Sequence, residues 1–462
     1  MISVDQFLAG QIFTSREIWT NLQILCDDMG SCFAGTPEEA EAARFLEDKL
    51  RAYGLDNVHS EPFEYNGWNR GSARFTMTSP RVRDLECLSM PMAAPGLARG
   101  RVIDLGYGAP EDFAAHEAEL KGNIVLVAGT NPPDADRWIH RTEKYNRSML
   151  AGAAAFIWTG HSDGLGPFTG AVGFNRWGLI PAVMVSKETG LLLQRLMRRH
   201  GSVEAEIEST DSQERKTSWN IIGDVGGGCD EEMVVIGNHY DGHDISQGAQ
   251  DPKSGLVAAL EIARVLPQCA DRLKRRVRFI LFGVEELGLI GAHAYVDTHA
   301  EDIARTHFMF NLDAAGGPGP KGMVLFGPDT TQYFGSLAPT LTDDVFIGRV
   351  AAELEEPGHL FADHYPFMAQ GVPCGFIRDP GMETIITAYY HTAADTVDKL
   401  QARDMQEAAF LAARLAWRVA NTEDWPDVKP SAEEVARALV EYDRKEISRQ
   451  IEAAVEELRA RS

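Results

Sequence analysis

Several polar residues stand directly after short apolar runs. His239 and Asp241 follow the run at 233–237, Glu285 and Glu286 follow 277–282, and Asp313 follows 308–312. A lone histidine or carboxylate in such a place is ordinarily a turn or capping residue. Here the pattern occurs three times in succession. With Asp251 and His391 the set comprises two histidines and three carboxylates, and Glu285 stands beside it. Nitrogen and oxygen donors of these types suit zinc, manganese or cobalt. The neighbouring carboxylates of Glu285 and Glu286 repel each other unless a cation is close or one is protonated. One of them can therefore bind a metal while the other faces a water beside it.

Such residues need a scaffold that brings them together, and its elements are legible. The three apolar runs read as buried strands, with a fourth at 374–377. Residues 254–266 read as a helix carrying Leu256, Val257, Leu260, Ile262, Ala263 and Val265. This alternation predicts an α/β fold, a mostly parallel mixed sheet sandwiched by helices. In open sheets of this kind, ligand sites lie beyond the carboxyl ends of the strands. Earlier in the chain, Thr36-Pro37-Glu38-Glu39 predicts a helix start with Thr36 as cap and Glu39 closing a capping box. Ala42, Phe45, Leu46, Leu50 and Tyr53 form its apolar stripe, and Gly54 ends it. Between 83 and 212 the texture changes to short apolar runs and glycine-rich turns with few catalytic clusters, which reads as a separate module. The expected organisation is a main domain from 1–82 and 213–425, an insert at 83–212, and a helical tail at 426–462. The tail has a capping box, Ser431 with Glu434, and a stripe of Val435, Leu439, Tyr442, Ile447, Ile451, Val455 and Leu458. It is expected to pack on its own chain; a homo-oligomer formed through this helix is the alternative.

Composition narrows the partners. The chain has 462 residues, which predicts two or three units. Lys plus Arg number 44 against 68 Asp plus Glu, a formal charge of -24. With no basic excess to neutralise phosphates, neither nucleic acid nor an anionic membrane surface is an expected partner. No secretory leader and no apolar stretch of transmembrane length is visible. The six cysteines are scattered without a C-x-x-C pair. They read as reduced thiols in a cytoplasmic protein, so any metal is held by nitrogen and oxygen rather than sulfur.

The motifs in order are His239-Tyr-Asp241, Gly248-Ala-Gln-Asp251-Pro-Lys-Ser-Gly255, Gly283-Val-Glu285-Glu286-Leu-Gly288 and Asn311-Leu-Asp313. Asp363-His-Tyr-Pro-Phe367 with Gly371-Val-Pro373, then Tyr390-His391-Thr392 with Asp395-Thr396, complete them. Over about 217–400 this series resembles the co-catalytic di-zinc exopeptidases, which include bacterial zinc aminopeptidases and the glutamate carboxypeptidase relatives. The module at 83–212 looks like the β-rich or α+β protease-associated domain often inserted in that family. The resemblance implies two zinc ions, with cobalt or manganese as alternatives, and a peptide substrate. It implies that Asp251 bridges the ions, that His239 and Asp313 complete one site, and that Glu286 and His391 complete the other. Glu285 would take a proton from the attacking water and pass it to the leaving amine. Asp241 would orient His239. Tyr390 would either donate to the tetrahedral oxyanion or pack as an ordinary aromatic.

Some positions depart from the family or distract from it. The residue after the bridging aspartate is usually Asn or Asp; here it is Pro252, and the Asp251–Pro252 bond is expected to be cis. Lys253 is expected to point to solvent. His243 lies four residues after His239, but the segment reads as a loop rather than a helix, which speaks against an H-x-x-x-H zinc pair. His364 is expected to line a substrate pocket, and His293, His299 and His307 to be structural or solvated. Arg378 is a candidate cation for a terminal carboxylate, with a surface or ion-paired arginine as the alternative. The functional expectation is an exopeptidase, with aminopeptidase favoured over carboxypeptidase or dipeptidase. An inactive binding scaffold and hydrolysis or cyclisation of a different amide are the rival readings.

Overall fold

The computed structural model describes residues 3–135, 137–226, 229–317, 321–326, 332–337, 351–353, 361–378, 389–423, 425, 433, 435–437 and 445–461. By its contacts the chain divides into two units. The first comprises 1–64, 217–390 and 394–438; the second comprises 65–216, 391–393 and 439–462.

The first unit is built on an eight-stranded sheet. In chain order its strands are β1 (Asp56–Asn69), β2 (Ser212–Val225), β3 (Cys229–His239), β4 (Arg275–Phe282), β5 (Thr306–Asn311), β6 (Gly322–Phe326), β7 (Ala351–Glu353) and β8 (Cys374–Arg378). Their spatial order is β1-β2-β4-β3-β5-β8-β6-β7. The central four, β4, β3, β5 and β8, run parallel, while β2 and β6 join antiparallel. The middles of these central strands are largely apolar because both faces are covered, as parallel sheets require. Val277, Phe279, Ile280 and Leu281 of β4 are buried, as are Val234, Val235 and Ile236 of β3.

One covering layer is the helix Gly255–Val265, buried almost entirely, against which the long helix Ala402–Asn421 packs. The N-terminal helix Val4–Thr14 lies on that long helix. There Asp5 pairs with Arg418 at 2.7 Å and with the fully buried Arg414 at 2.9 Å. The helix Pro37–Ala52 begins where expected, with Thr36 accepting from the Glu39 amide at 3.3 Å. Only half of the expected capping box forms. The Glu39 carboxylate turns instead to the Gly35 amide, 2.5 Å away, and to the Ser218 hydroxyl. Glu39 thus ties the helix to β2 rather than closing its own cap.

The second unit has its own eight-stranded sheet, in the order 83–85, 73–79, 204–209, 96–104, 124–128, 155–159, 182–185, 88–89. Its core is formed by Phe75, Ile124, Leu126, Ile157, Val183 and Ile207, among others. From the tail, helix Lys445–Arg461 packs on helix Arg141–Leu150 and buries Ile451 and Val455. Arg176 reaches Glu452 of the tail helix at 3.3 Å. Ser431 and Glu434, the expected tail cap, lie outside the described residues.

Candidate metal centre

The register of the parallel strands explains why the polar residues converge. His239 at the end of β3 is level with Phe282 of β4, and Gly237 is level with Asn311 of β5. Three successive carboxyl ends therefore finish side by side. The residues just past them, Glu285, Glu286 and Asp313, must emerge at the same edge. Asp251 reaches it by another route, on the irregular turn Ala249–Ser254 that opens the helix Gly255–Val265. Gly255 permits this approach: a Cβ there would lie 1.8 Å from the Leu312 carbonyl and 2.5 Å from Asn238 Oδ1. The Asp251–Pro252 peptide is cis, as expected from the proline.

His239 Nε2 lies 3.3 Å from Asp251 Oδ1 and 3.3 Å from Asp313 Oδ1. The three donor atoms fall within 4.8 Å of one another. Two ligands held about 2.0–2.1 Å from a tetrahedral zinc stand about 3.3–3.4 Å apart, so this spacing matches what one ion requires. His239 presents the correct nitrogen. Its Nδ1 is 2.9 Å from the Asp241 carbonyl and donates to it, which leaves Nε2 facing the two aspartates.

Asp241 orients His239 through its carbonyl rather than its carboxylate. Its carboxylate stands 3.7 Å from His239 Nδ1, too far for a hydrogen bond. That carboxylate instead accepts the amides of Glu285 at 2.9 Å and Glu286 at 3.3 Å. Asp241 thus orients the histidine through its backbone and the two glutamates through its side chain. The turn it holds is strained at Val284, with φ 59°, and the separate turn after β5 is strained at Ala314, next to Asp313, with φ 52°. Side chains there clash with their own backbone, at about 1–3 kcal/mol each, and persist only when the surroundings fix them. The surroundings do so: Leu289 donates to the Glu285 carbonyl at 2.8 Å, Ile290 to that of Val284 at 3.0 Å.

A second pair stands beside the first group. Glu286 Oε2 is 2.7 Å from Nε2 of the buried His243. The segment carrying His243 is a loop, and its two histidines face different carboxylates, so no H-x-x-x-H pair exists. Lys253 is the position where sequence reasoning failed. It is fully buried rather than solvated, donating to the carbonyls of Gly30 at 2.7 Å, Ser31 at 3.2 Å and Gln247 at 2.5 Å. Asp395, buried, accepts the Gln250 amide at 2.8 Å and the Asp251 amide at 3.2 Å. Burial pushes its carboxyl up to about 7. These two buried charges clamp the turn that carries Asp251. Asp395 appeared in the sequence only as part of a motif.

The electrostatics call for a cation. Burial drives the Glu285 carboxyl well above its usual range; His239 opposes the rise, while Glu286, Asp363 and Asp313 add to it. Asp363 is raised in the same way and fully buried, and neither of its oxygens has a hydrogen-bond partner among the described residues. For His239 burial lowers the pKa, but Glu285 and the carboxylates of Asp241, Asp251 and Asp313 outweigh it and raise it well above 6.5. A cluster this rich in buried carboxylates repels itself unless positive charge is supplied. Its oxygen and nitrogen donors are those zinc accepts. The residues present therefore fit a bound metal.

His391 counts with the second unit and is described there. It has φ 57°, its carbonyl accepts the Thr169 amide at 2.7 Å, and its Nδ1 donates to the Thr169 carbonyl at 3.0 Å. As with His239, Nδ1 takes up that bond rather than Nε2. His364 is buried within the first unit, 3.2 Å from the Asn311 amide nitrogen, so it serves the interior rather than a pocket wall. Tyr390 is half-buried. Arg378 ends β8, and its side chain lies outside what is described.

Comparison with known proteins agrees with this geometry. Residues 220–416 match the model of peptidase family M28. That stretch of the chain is similar to peptidase family M28. Residues 91–193 match the PA domain, which lies in the second unit. Aminopeptidase YwaD of Bacillus subtilis is 28% identical, over 90% of this chain and 87% of its own length. Mouse carboxypeptidase Q is 23% identical, over 88% of this chain and 86% of its own. The solved structure of BSAP, a zinc aminopeptidase from Bacillus subtilis, aligns with a TM-score of 0.69 at 25% identity, covering 91% of this chain and 97% of that one. These matches support a peptidase of mixed α/β fold with an inserted PA domain. No helix among the described residues is long and apolar enough to cross a membrane.

Proposed function

We propose that this chain is a two-metal exopeptidase, using zinc, that removes residues from the amino end of peptides. The observation that carries the reading is the 3.3 Å spacing of His239 Nε2 from both Asp251 and Asp313, with Glu285 and Glu286 on the adjoining turn. Asp251 is assigned to both ions, His239 and Asp313 to one, and Glu286 and His391 to the other. Bound ions of this kind acidify a water and polarise the peptide carbonyl. Glu285, whose carboxyl is already raised by its surroundings, accepts the proton and returns it to the departing amine. Asp241 keeps both glutamates in place, and Tyr390 donates to the oxygen that gains charge.

Similarity to a bacterial aminopeptidase over most of both chains supports the amino-end preference. Similarity to carboxypeptidase Q over nearly as much supports a second reading, cleavage at the carboxyl end. A cytoplasmic location belongs to the same proposal, resting on Cys26, Cys32, Cys87, Cys269 and Cys374, all free thiols. The test pairs free-amine chromogenic amino acids with N-blocked dipeptides, each with and without chelator. Hydrolysis of the first set alone, abolished by chelator and restored by zinc, is the expected result. Hydrolysis of the second set alone selects the carboxypeptidase reading. If neither is cleaved after zinc, cobalt or manganese loading, the peptide substrate is wrong, and an inactive scaffold or another amide chemistry takes its place.

A further inference from the structure

We infer that His243 is a positioning residue for Glu286, holding one carboxylate oxygen so that the other is the one offered to the second ion. The inference rests on the two-metal reading above. Nε2 of His243 stands 2.7 Å from Glu286 Oε2, an ion-pair contact shorter than the separation of two ligands on one tetrahedral ion. The imidazole thus faces Oε2 at ion-pair distance, which leaves Oε1 as the oxygen that His243 does not approach.

The loop is built to deliver the imidazole there. Tyr240 donates its amide to the Phe282 carbonyl at 3.0 Å, which ties the loop to the end of β4 just before the glutamates. Gly242 donates to the Ser31 carbonyl at 2.9 Å. A Cβ at Gly242 would lie 3.1 Å from that carbonyl and 3.4 Å from the Asp251 carbonyl, so this residue fits closely against the backbone of the bridging aspartate. Ser246 then donates to the His243 carbonyl at 3.3 Å. The loop therefore grips Glu286 twice, by Asp241 on its amide and by His243 on its carboxylate. Both side chains are buried, Asp241 fully and His243 to within 2%. A histidine in this place fixes a carboxylate ligand that would otherwise rotate, and removing such a partner typically lowers metal affinity about 10–100-fold.

The experiment titrates zinc into metal-stripped wild type, His243→Ala and His243→Gln by chelator competition, resolving the two binding events, with zinc content checked by mass spectrometry. In His243→Ala the event at the Glu286 site is expected to lose about 10–100-fold while the event at His239, Asp251 and Asp313 is unchanged. His243→Gln, whose amide can donate, is expected to recover most of the loss and keeps the test open should the alanine variant fold poorly. Equal loss at both events, or none, overturns the inference, because a purely structural role does not single out one ion. If wild type itself binds a single ion, the two-metal reading fails first and the inference falls with it.

Discussion

Replacing Lys253 by methionine tests whether a buried ammonium holds the turn that carries Asp251. Nζ donates to three carbonyls, those of Gly30, Ser31 and Gln247. Ser31 keeps a second donor, the Gly242 amide at 2.9 Å, so its loss is small. The part-buried carbonyls of Gly30 and Gln247 lose a charged donor, and that of Gly30 keeps the weak Cys32 thiol at 3.7 Å. A buried acceptor stripped of its partner costs about 1–3 kcal/mol, so two cost about 2–6 kcal/mol. Methionine fills similar volume and relieves the cost of burying a charge, which offsets part of this. A net destabilisation of about 2–4 kcal/mol is expected for the first unit. The assay is equilibrium urea unfolding of metal-stripped wild type and variant, because bound ions would add their own stabilisation. A loss below about 1 kcal/mol, or a gain, would refute the reasoning and return Lys253 to the status of an incidental buried side chain.

Other outcomes follow from the same contacts. Asp395→Asn leaves one carbonyl oxygen to serve the Gln250 and Asp251 amides and turns an amide donor toward them; zinc affinity is expected to fall at least about tenfold, measured by chelator competition. Asp5 is pushed up by burial, but Arg418 and Arg414 outweigh that and hold it below 3.8. Its stabilisation is complete above that value and lost as pH falls through the lower folded value, so Asp5→Asn should flatten the acid limb of a stability–pH profile. Lys144 in the second unit, buried and donating to the Ala128 and Thr130 carbonyls, is lowered from 10.5 to about 8 by burial. Below 8 both folded and unfolded states carry the proton and the burial penalty is fully present. Between 8 and 10.5 the unfolded state binds more protons, so stability should rise with pH, and Lys144→Met should abolish that rise in thermal scans.

The edge of the sheet was legible because each donor follows an apolar run. Runs at 233–237, 277–282 and 308–312 fold as neighbouring parallel strands whose register sets His239 level with Phe282 and Gly237 level with Asn311, just before Glu285 and Asp313. What stayed hidden depends on partners far away in the chain. Nothing near Lys253 announces that Gly30 and Ser31 will receive its ammonium, and a charged side chain defaults to solvent. His243 was correctly placed on a loop, yet its contact with Glu286 needs the tertiary course of that loop. Asp241 orients His239 as the motif implied, but the choice between carbonyl and carboxylate as the partner of His239 is made by backbone direction. Glu39 likewise began a helix as expected but was drawn away by Ser218, which lies 179 residues on.

The central claim is that Glu285 carries the proton at a metal-dependent hydrolytic site. Its most direct test is the kcat of Glu285→Gln on a free-amine chromogenic amino acid, with zinc content matched to wild type. A fall of about 10²–10⁴-fold with both ions retained is the predicted result. Activity within a few-fold of wild type at full zinc content would contradict the account.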